Sequence, residues 1–190
     1  MPPKAKYTKE QIVDVAYQMV RRQGMGILTA RSVAAALGTS TAPIFTVFRS
    51  IEELQQCVMD KAGALYMSYI QGGLCQDLPF KGAGLGYIRF AMDEPEFFKL
   101  LCMQEDNRGV THFLPEREPN TPQILQVIQD NYGISGDNAK TLYNHLSVYS
   151  HGLAVLFAQK QCVFTMEDVS RQLTQVYQAL RKEICDENHN

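Results

Sequence analysis

Side chains able to bind phosphate groups cluster in residues 29–54 of this sequence. They are the hydroxyls of Thr39 and Ser40 and the guanidinium groups of Arg31 and Arg49. Both kinds of group donate hydrogen bonds that phosphate oxygens accept. The hydroxyls fall where a helix is predicted to begin, and the backbone N–H groups at a helix N-terminus also bind anions. This pattern indicates contact with a polyphosphate backbone.

Motifs for other chemistry are absent. The sequence contains no His-Glu-x-x-His, Glu-x-x-His, Gly-x-Ser-x-Gly or phosphate-loop motif, so we predict no enzymatic activity and no cofactor. The cysteines are odd in number and form no Cys-x-x-Cys pair, which argues against a disulfide framework and a zinc site. They are Cys57, Cys75, Cys102, Cys162 and Cys185. We expect no bound metal; a redox-sensing cysteine remains an open alternative.

Two short helices joined by a tight turn are predicted to position the phosphate-binding groups. An apolar face on the first helix is formed by Val33, Ala36 and Leu37. Gly38 is expected to end this helix, because glycine tolerates the left-handed conformation. Ser40 is expected to cap the second helix with its side-chain oxygen.

The second short helix is predicted from Thr41 to Phe48, with Ile44 and Phe48 facing inward. The side chains expected to face outward are those of Thr41, Ala42, Phe45 and Thr46. A helix, a glycine-bearing turn and a second short helix form the unit that fits a helix into the DNA major groove. We therefore predict that these outward side chains contact double-stranded DNA.

Charge is distributed unevenly along the chain. Residues 1–50 hold seven Lys/Arg against two Asp/Glu, whereas residues 51–190 hold eleven against eighteen. A basic end on an acidic body suits a protein that presents one end to phosphates. Lys4 and Lys6, in a short N-terminal arm, are predicted to reach the DNA backbone or a minor groove.

No targeting or membrane segment is predicted. The basic N-terminal residues are not followed by the apolar segment of a secretory signal. No apolar run approaches the roughly 18 residues that a membrane helix needs. We therefore expect a cytoplasmic protein that does not bind membranes.

The same segment resembles the DNA-binding region of the TetR/AcrR family of transcriptional repressors. The resemblance is carried by Thr29, the helix 33–37, the Gly-x-Ser turn 38–40, the run 44–48, and Arg49 followed by Ser-Ile-Glu-Glu-Leu at 50–54. It implies an all-α fold with an N-terminal three-helix DNA-binding domain and a larger helical domain for ligand binding and dimerisation. Family members commonly carry lysine in place of Thr41, so this chain is expected to make fewer charge-assisted phosphate contacts.

The apolar periodicity predicts helices nearly throughout, with no strands. The first is expected to begin with a Thr8–Gln11 capping box and a long one with a Ser50–Glu53 capping box. The glycine-rich stretch 72–86 is predicted to be a flexible loop leading into a helix from about Ala83. The helix that begins near Pro95 has Asp93 as its candidate cap, and residues 104–122 are predicted to be a long loop. Two long helices, at about 136–159 and 165–186, end the chain, and Thr165 is expected to cap the second. We place the domain boundary at residue 50, giving domains 1–50 and 51–190.

The last two helices carry apolar stripes at spacings of three and four, as on Leu173, Val176 and Leu180. The resemblance implies that this pair forms an intersubunit four-helix bundle in a homodimer. Off these stripes, Val148, Phe157 and Tyr177 are expected to leave apolar surface for a partner subunit. The alternative is that these faces belong to the core of the monomer.

Aromatic and methionine side chains on the middle helices are candidates for an adaptable apolar pocket. The candidates are Tyr66, Tyr69, Ile70, Tyr87, Phe90, Phe98, Met103, His145 and Tyr149. The resemblance implies a small-molecule effector there, whereas the periodicity is equally compatible with core positions. The sequence thus predicts a ligand-responsive regulator, a repressor that binds a palindromic operator as a homodimer and is released by the effector. The alternative is a helical module that senses a ligand or protein partner and has little specific DNA affinity.

Overall fold

The computed structural model describes residues 7–103 and 118–187. Within these ranges the chain forms nine α-helices and a 3₁₀ turn, Met25–Ile27, with no β-strand. The helices are α1 Lys9–Gln23, α2 Ala30–Ala36, α3 Ala42–Val47, α4 Ile51–Leu74, α5 Pro79–Asp93, α6 Pro95–Cys102, α7 Thr121–Tyr132, α8 Gly136–Ala158 and α9 Met166–Glu187. The prediction of an all-α fold is confirmed.

Side-chain caps fix where several helices begin. Thr8 and Gln11 form the predicted capping box of α1. At the start of α4 the Ser50 hydroxyl accepts from the Glu53 N–H, but the Glu53 carboxylate accepts from the Arg49 N–H at 2.8 Å and not from Ser50. The predicted capping box of α4 is therefore only half formed, because the Glu53 carboxylate accepts from the backbone N–H of Arg49 and not from that of the cap residue Ser50.

Most of the glycine-rich stretch 72–86 is helical, so the predicted loop is limited to residues 75–78 and the helix after it begins earlier than Ala83. α5 begins at Pro79, which suits the first turn of a helix. Gly82 and Gly86 lie inside α5 against the backbone of α4, where a Cβ on either would come closer than 3.0 Å to the carbonyl oxygens of Gly73 and Tyr69. These glycines therefore allow close helix packing, and their effect on backbone flexibility is secondary.

The helices enclose a continuous apolar core that runs from α1 to α9. α5 packs along both α4 and α8, and α9 packs against α5 and α8. α1 contacts both α4 and α6. The N-terminal helices are thus connected to the rest of the molecule through two different helices.

Two further predictions are corrected. Asp93 does not cap α6, because the cap position is Glu94, whose buried carboxylate instead binds Arg21. The predicted loop 104–122 lies mostly outside the described residues, but its last two residues belong to α7, which begins at Thr121.

Candidate functional site

The α2–turn–α3 unit forms as the sequence predicts, with two differences. Gly38 adopts φ 63°, the left-handed conformation expected at the end of α2. Val33 and Ala34 are buried, whereas Ala36 is exposed, so the inward face is rotated from the one we predicted. The N-terminus of α2 is fixed by Thr29, which forms a reciprocal capping box with Ser32.

Ser40 does not cap α3, and this prediction is wrong. The cap position is Thr41, which has helical φ and ψ and no side-chain capping hydrogen bond. Pro43 lies in the first turn of α3 and has no N–H, so the turn offers one donor fewer for a cap. Thr39 is half-buried and Ser40 is exposed next to this turn.

The outer face of α3 is formed by residues that the sequence placed there. Ile44 and Phe48 are buried, while Ala42, Phe45 and Thr46 are exposed and Thr41 is half-buried. Phe45 leaves 49% of its surface exposed, although it is a large apolar side chain. The Thr46 hydroxyl donates to the Ala42 carbonyl at 3.0 Å, which leaves its oxygen able to accept a hydrogen bond.

The cations near α3 differ in their surroundings. Arg31 and Arg49 are exposed. Lys9 forms an ion pair with Glu53 at 3.1 Å and lies 5.2 Å from the centre of the Phe48 ring. The candidate arm residues Lys4 and Lys6 lie outside the described residues. Among the side chains that the structure describes here, the two arginines are therefore the cations best placed to bind an external anion.

A cavity of about 200 Å³ lies between α4, α5, α7, α8 and α9. Of the pocket candidates, Tyr66, Ile70 and Tyr87 line it. The structure brings these together with side chains that the sequence analysis did not assign to a pocket. They include Phe80, Lys81, Glu118, Asn120, Ile124, Tyr132, Tyr143, Leu146, Leu173 and Tyr177.

The remaining candidates lie elsewhere. Phe90 and Phe98 are fully buried in the core, packed in ring contacts with each other and with neighbouring tyrosines. Tyr69 donates to Asp93 at 3.1 Å, and Tyr149 donates to Gln172 at 2.9 Å. The other two candidates are Met103, which packs against the core, and His145, which is exposed. The cavity wall thus includes few of the predicted side chains.

Helical periodicity marks the cavity residues on α7 and α9 as inward-facing, but it does not distinguish a cavity wall from a packed core. Tyr177 illustrates this, because it lines the cavity and does not add to a free apolar surface as predicted. Glu118 was missed because it lies just before α7, outside any periodic segment.

The polar groups of the cavity lie around Tyr66 and Tyr143. The Tyr66 hydroxyl donates to the Glu118 carboxylate at 2.8 Å, and the hydroxyls of Tyr143 and Thr121 lie 3.0 Å apart. Burial raises the pKa of the Glu118 carboxyl, and the hydrogen bond from Tyr66 partly opposes this. Burial also raises the pKa of the Tyr66 phenol well above its usual range.

A histidine supports the cavity wall from behind. The Tyr87 hydroxyl lies 2.8 Å from His151 Nδ1, and the imidazole stacks at a tilt against Phe98, 6.0 Å between ring centres. Burial lowers the pKa of His151, which favours the neutral ring. Tyr87 is thereby held between the cavity and the core.

A partly buried ion pair joins α1 to the start of α6. Arg21 Nε donates to Glu94 at 2.6 Å, and its Nη2 binds the other carboxylate oxygen. The Glu94 side chain is 3% exposed and that of Arg21 is 44% exposed. Next to this pair the rings of Tyr17 and Phe97 pack with centres 4.7 Å apart. These contacts connect α1 to α6, which in turn packs against α5 and α8.

Comparisons with known proteins define the fold. Neither a family model nor a curated protein matches this sequence. The chain is similar to a solved structure described as a TetR-like transcriptional regulator from Rhodococcus sp. RHA1, with 14% sequence identity and a TM-score of 0.66. The similarity covers 93% of this chain and 96% of that one. The chain therefore has a TetR-like fold, as the resemblance of residues 29–54 implied.

Within the described residues, no helix combines the length and apolar character needed to cross a membrane.

Proposed function

We propose that this protein is a ligand-responsive transcriptional regulator that binds DNA through α3. The observation that supports this best is the exposed face of α3, where Phe45 and Thr46 face outward while Ile44 and Phe48 are buried on the other side. A side chain with an apolar surface, such as phenylalanine or the threonine methyl, can contact the thymine methyl group in the major groove. Residues 1–50 form the DNA-binding domain and residues 51–190 the effector-binding domain.

In this proposal Arg31 and Arg49 bind phosphates, whereas Thr46 reads bases. Arg31→Ala or Arg49→Ala should weaken binding roughly 10-fold on every DNA sequence and make affinity less dependent on salt. Thr46→Ala should mainly change which duplexes are preferred, by about 1 kcal/mol at the affected position. The measurement is sequencing of duplexes selected from a randomised library, followed by anisotropy titrations. Arg22→Ala, an exposed arginine on α1, is the control. If Arg31→Ala, Arg49→Ala and Thr46→Ala each reduced the affinity equally for every duplex, this division of roles would be refuted.

We further propose a homodimer whose interface includes α8. Val148, Gly152 and Leu156 are spaced four residues apart, so they share one face of α8, and all three are exposed. Val148 is 61% exposed, and nothing lies within 4 Å of a Cβ placed on Gly152. An apolar stripe with a glycine at its centre suits close packing against a second copy. Such a dimer would present two α3 helices to a palindromic operator.

The homodimer is tested by placing a charge on this stripe. Val148→Glu should convert the protein to a monomer, because an unpaired carboxylate would be buried at the interface. Light scattering coupled to size-exclusion chromatography measures the mass, with Gln129→Glu on the exposed face of α7 as the control. A dimeric mass for Val148→Glu at micromolar concentration would exclude α8 from the interface.

We place the effector in the cavity between α4 and α9. Tyr66 and Ile70, on α4, line it, and the same helix begins at Ile51, next to α3. An effector that binds one arrangement of α4 better than another would change the spacing of the two α3 helices and so release the operator. The protein then acts as a cytoplasmic repressor.

A second candidate function is a ligand or partner sensor with little specific DNA affinity. The observation that favours it is the absence of Lys and Arg from positions 41–48, since cations there usually bind phosphates. The exposed Arg31 and Arg49 on either side of the motif favour DNA binding instead. Uniformly weak binding to all selected duplexes would favour the sensor.

A further inference from the structure

The cavity contains a carboxylate with no cationic partner among the residues that the structure describes. Glu118 accepts a hydrogen bond from the Tyr66 hydroxyl at 2.8 Å, and no described Lys, Arg or His forms an ion pair with it. A hydroxyl compensates part of a carboxylate's lost hydration but none of its charge. A ligand that carries a positive charge would supply the missing compensation.

The rings next to Glu118 suit a cation as well. Tyr66, Tyr87 and Tyr143 all line the cavity, and the rings of Tyr66 and Tyr87 pack edge to face with centres 6.1 Å apart. The hydroxyls of these tyrosines already bind Glu118, His151 and Thr121, respectively. A ligand in this part of the cavity would therefore contact the surfaces of these rings, and the face of an aromatic ring attracts cations.

The described wall of the cavity also carries one basic side chain. Among the described lining residues Lys81 is the other charged side chain, in the first turn of α5. It precedes Tyr87 by about 9 Å along the helix axis. The Phe80 ring beside it packs against Tyr132, with centres 6.3 Å apart. Among the described lining residues, Glu118 is therefore the one acidic side chain and Lys81, on α5, the one basic side chain.

The other side chains of the cavity wall favour a ligand with an apolar body. Ile70, Ala83, Ile124, Leu146 and Leu173 contribute aliphatic surface. The volume of about 200 Å³ is somewhat larger than a cavity known to hold benzene. These dimensions fit one aromatic ring with a short side chain, or an aliphatic group of similar size.

We propose that the effector is a small organic cation, whose ammonium or amidinium group contacts the Glu118 carboxylate and the rings of Tyr66 and Tyr87 while its apolar body lies against Leu146 and Leu173. This assignment rests on the proposed function, in which the cavity is the effector site. It adds the charge and size of the ligand, which the fold does not specify.

The test compares three probes that share one ring and differ in charge. Phenethylamine is a cation at pH 7.4, 2-phenylethanol is neutral and phenylacetate is an anion. Isothermal titration calorimetry on the full chain should give an affinity for phenethylamine roughly 10-fold or more above that for the other two. Glu118→Gln should weaken phenethylamine binding roughly 10- to 100-fold and leave 2-phenylethanol almost unchanged. Glu167→Gln, which removes an exposed carboxylate of α9 outside the cavity, should change neither affinity.

Several outcomes would overturn the assignment. They are equal or tighter binding of phenylacetate, an unchanged phenethylamine affinity in Glu118→Gln, or no binding of any probe at millimolar concentration.

A filled cavity distinguishes failure of the ligand class from failure of the site. Gly84 lines the cavity, and a Cβ there would make only ordinary contacts, 3.6 Å from Ser150 and 3.7 Å from Leu173. Gly84→Leu should abolish binding of every probe, and Gly84→Ala, which is easier to accommodate, should weaken it. If Gly84→Leu abolishes binding of every probe but the unsubstituted protein shows no preference for phenethylamine, the cavity remains the effector site and the cationic ligand is refuted. Full binding in Gly84→Leu would refute the cavity as the effector site, and with it both proposals.

Discussion

Gly86→Ala is expected to destabilise the protein by about 3 kcal/mol or more, which is a large part of the stability of a typical domain. The added Cβ would lie closer than 3.0 Å to the Tyr69 carbonyl oxygen, and neither the α4 backbone nor the α5 backbone can move without disturbing the other. Separating the two helices would open gaps among the side chains buried between them. Urea unfolding followed by circular dichroism measures the change in free energy.

The matched control is Gly63→Ala on α4. No atom lies within 4 Å of a Cβ placed on Gly63, and its backbone is helical. Alanine should therefore stabilise the protein by about 0.5–1 kcal/mol, because it restricts the unfolded chain more than glycine does. If Gly86→Ala were as stable as Gly63→Ala, the close approach of α4 and α5 would be incorrect.

Arg21→Ala is expected to cost about 2 kcal/mol of folding free energy, because the arginine is partly exposed and water can screen the remaining carboxylate, and to weaken the proposed connection between effector and DNA binding. The substitution leaves Glu94 buried at 3% exposure with neither of its two bonds to the guanidinium group. Arg21→Ala combined with Glu94→Ala should recover part of this loss, because the uncompensated buried charge is then removed. Chemical unfolding of the two single variants and the double variant gives the coupling energy.

The functional consequence of this ion pair follows from its position. In the proposed function α1 belongs to the DNA-binding half of the chain, and α6 packs against α5 and α8, two walls of the cavity. Arg21→Ala should therefore reduce the effect of an effector on operator affinity more than it reduces operator affinity itself. Arg22→Ala, an exposed neighbour on α1, should leave both unchanged. An undiminished effector response in a folded Arg21→Ala variant would show that the ion pair only stabilises the fold.

Much of the fold follows from local patterns in the sequence. Leu54, Val58 and Ala62 recur at the helical period on α4 and are fully buried. The caps at Thr8 and Thr165 form as predicted, with the Thr165 hydroxyl accepting from the Asp168 N–H at 3.1 Å. Each of these signals depends on residues within one or two helical turns, which is why one sequence is sufficient to read them.

The errors arise where one residue type serves two purposes. Glycine suits both flexible loops and close helix contacts, and only the position of α4 shows that Gly82 and Gly86 serve the second purpose. Ser40 is a good cap by type, but Pro43 changes the first turn that it would cap. Tyr177 and Phe90 have the same helical signature, yet one lines the cavity and the other is enclosed by the core. The wall of a cavity depends on volume left between helices, which periodicity does not encode.

The measurement that tests the central claim most directly is fluorescence anisotropy of the full chain on DNA from upstream of its own gene, compared with scrambled DNA of the same composition. The proposed regulator should bind the upstream DNA at least roughly 1,000-fold more tightly, with an affinity that falls steeply between 50 and 200 mM salt. The stoichiometry should be one dimer for each palindromic site. Phe45→Ala, which removes the exposed ring from α3, should abolish most of the preference. Equal, weak binding of both DNAs, unaffected by Phe45→Ala, would contradict a sequence-specific regulator that uses α3 on this DNA.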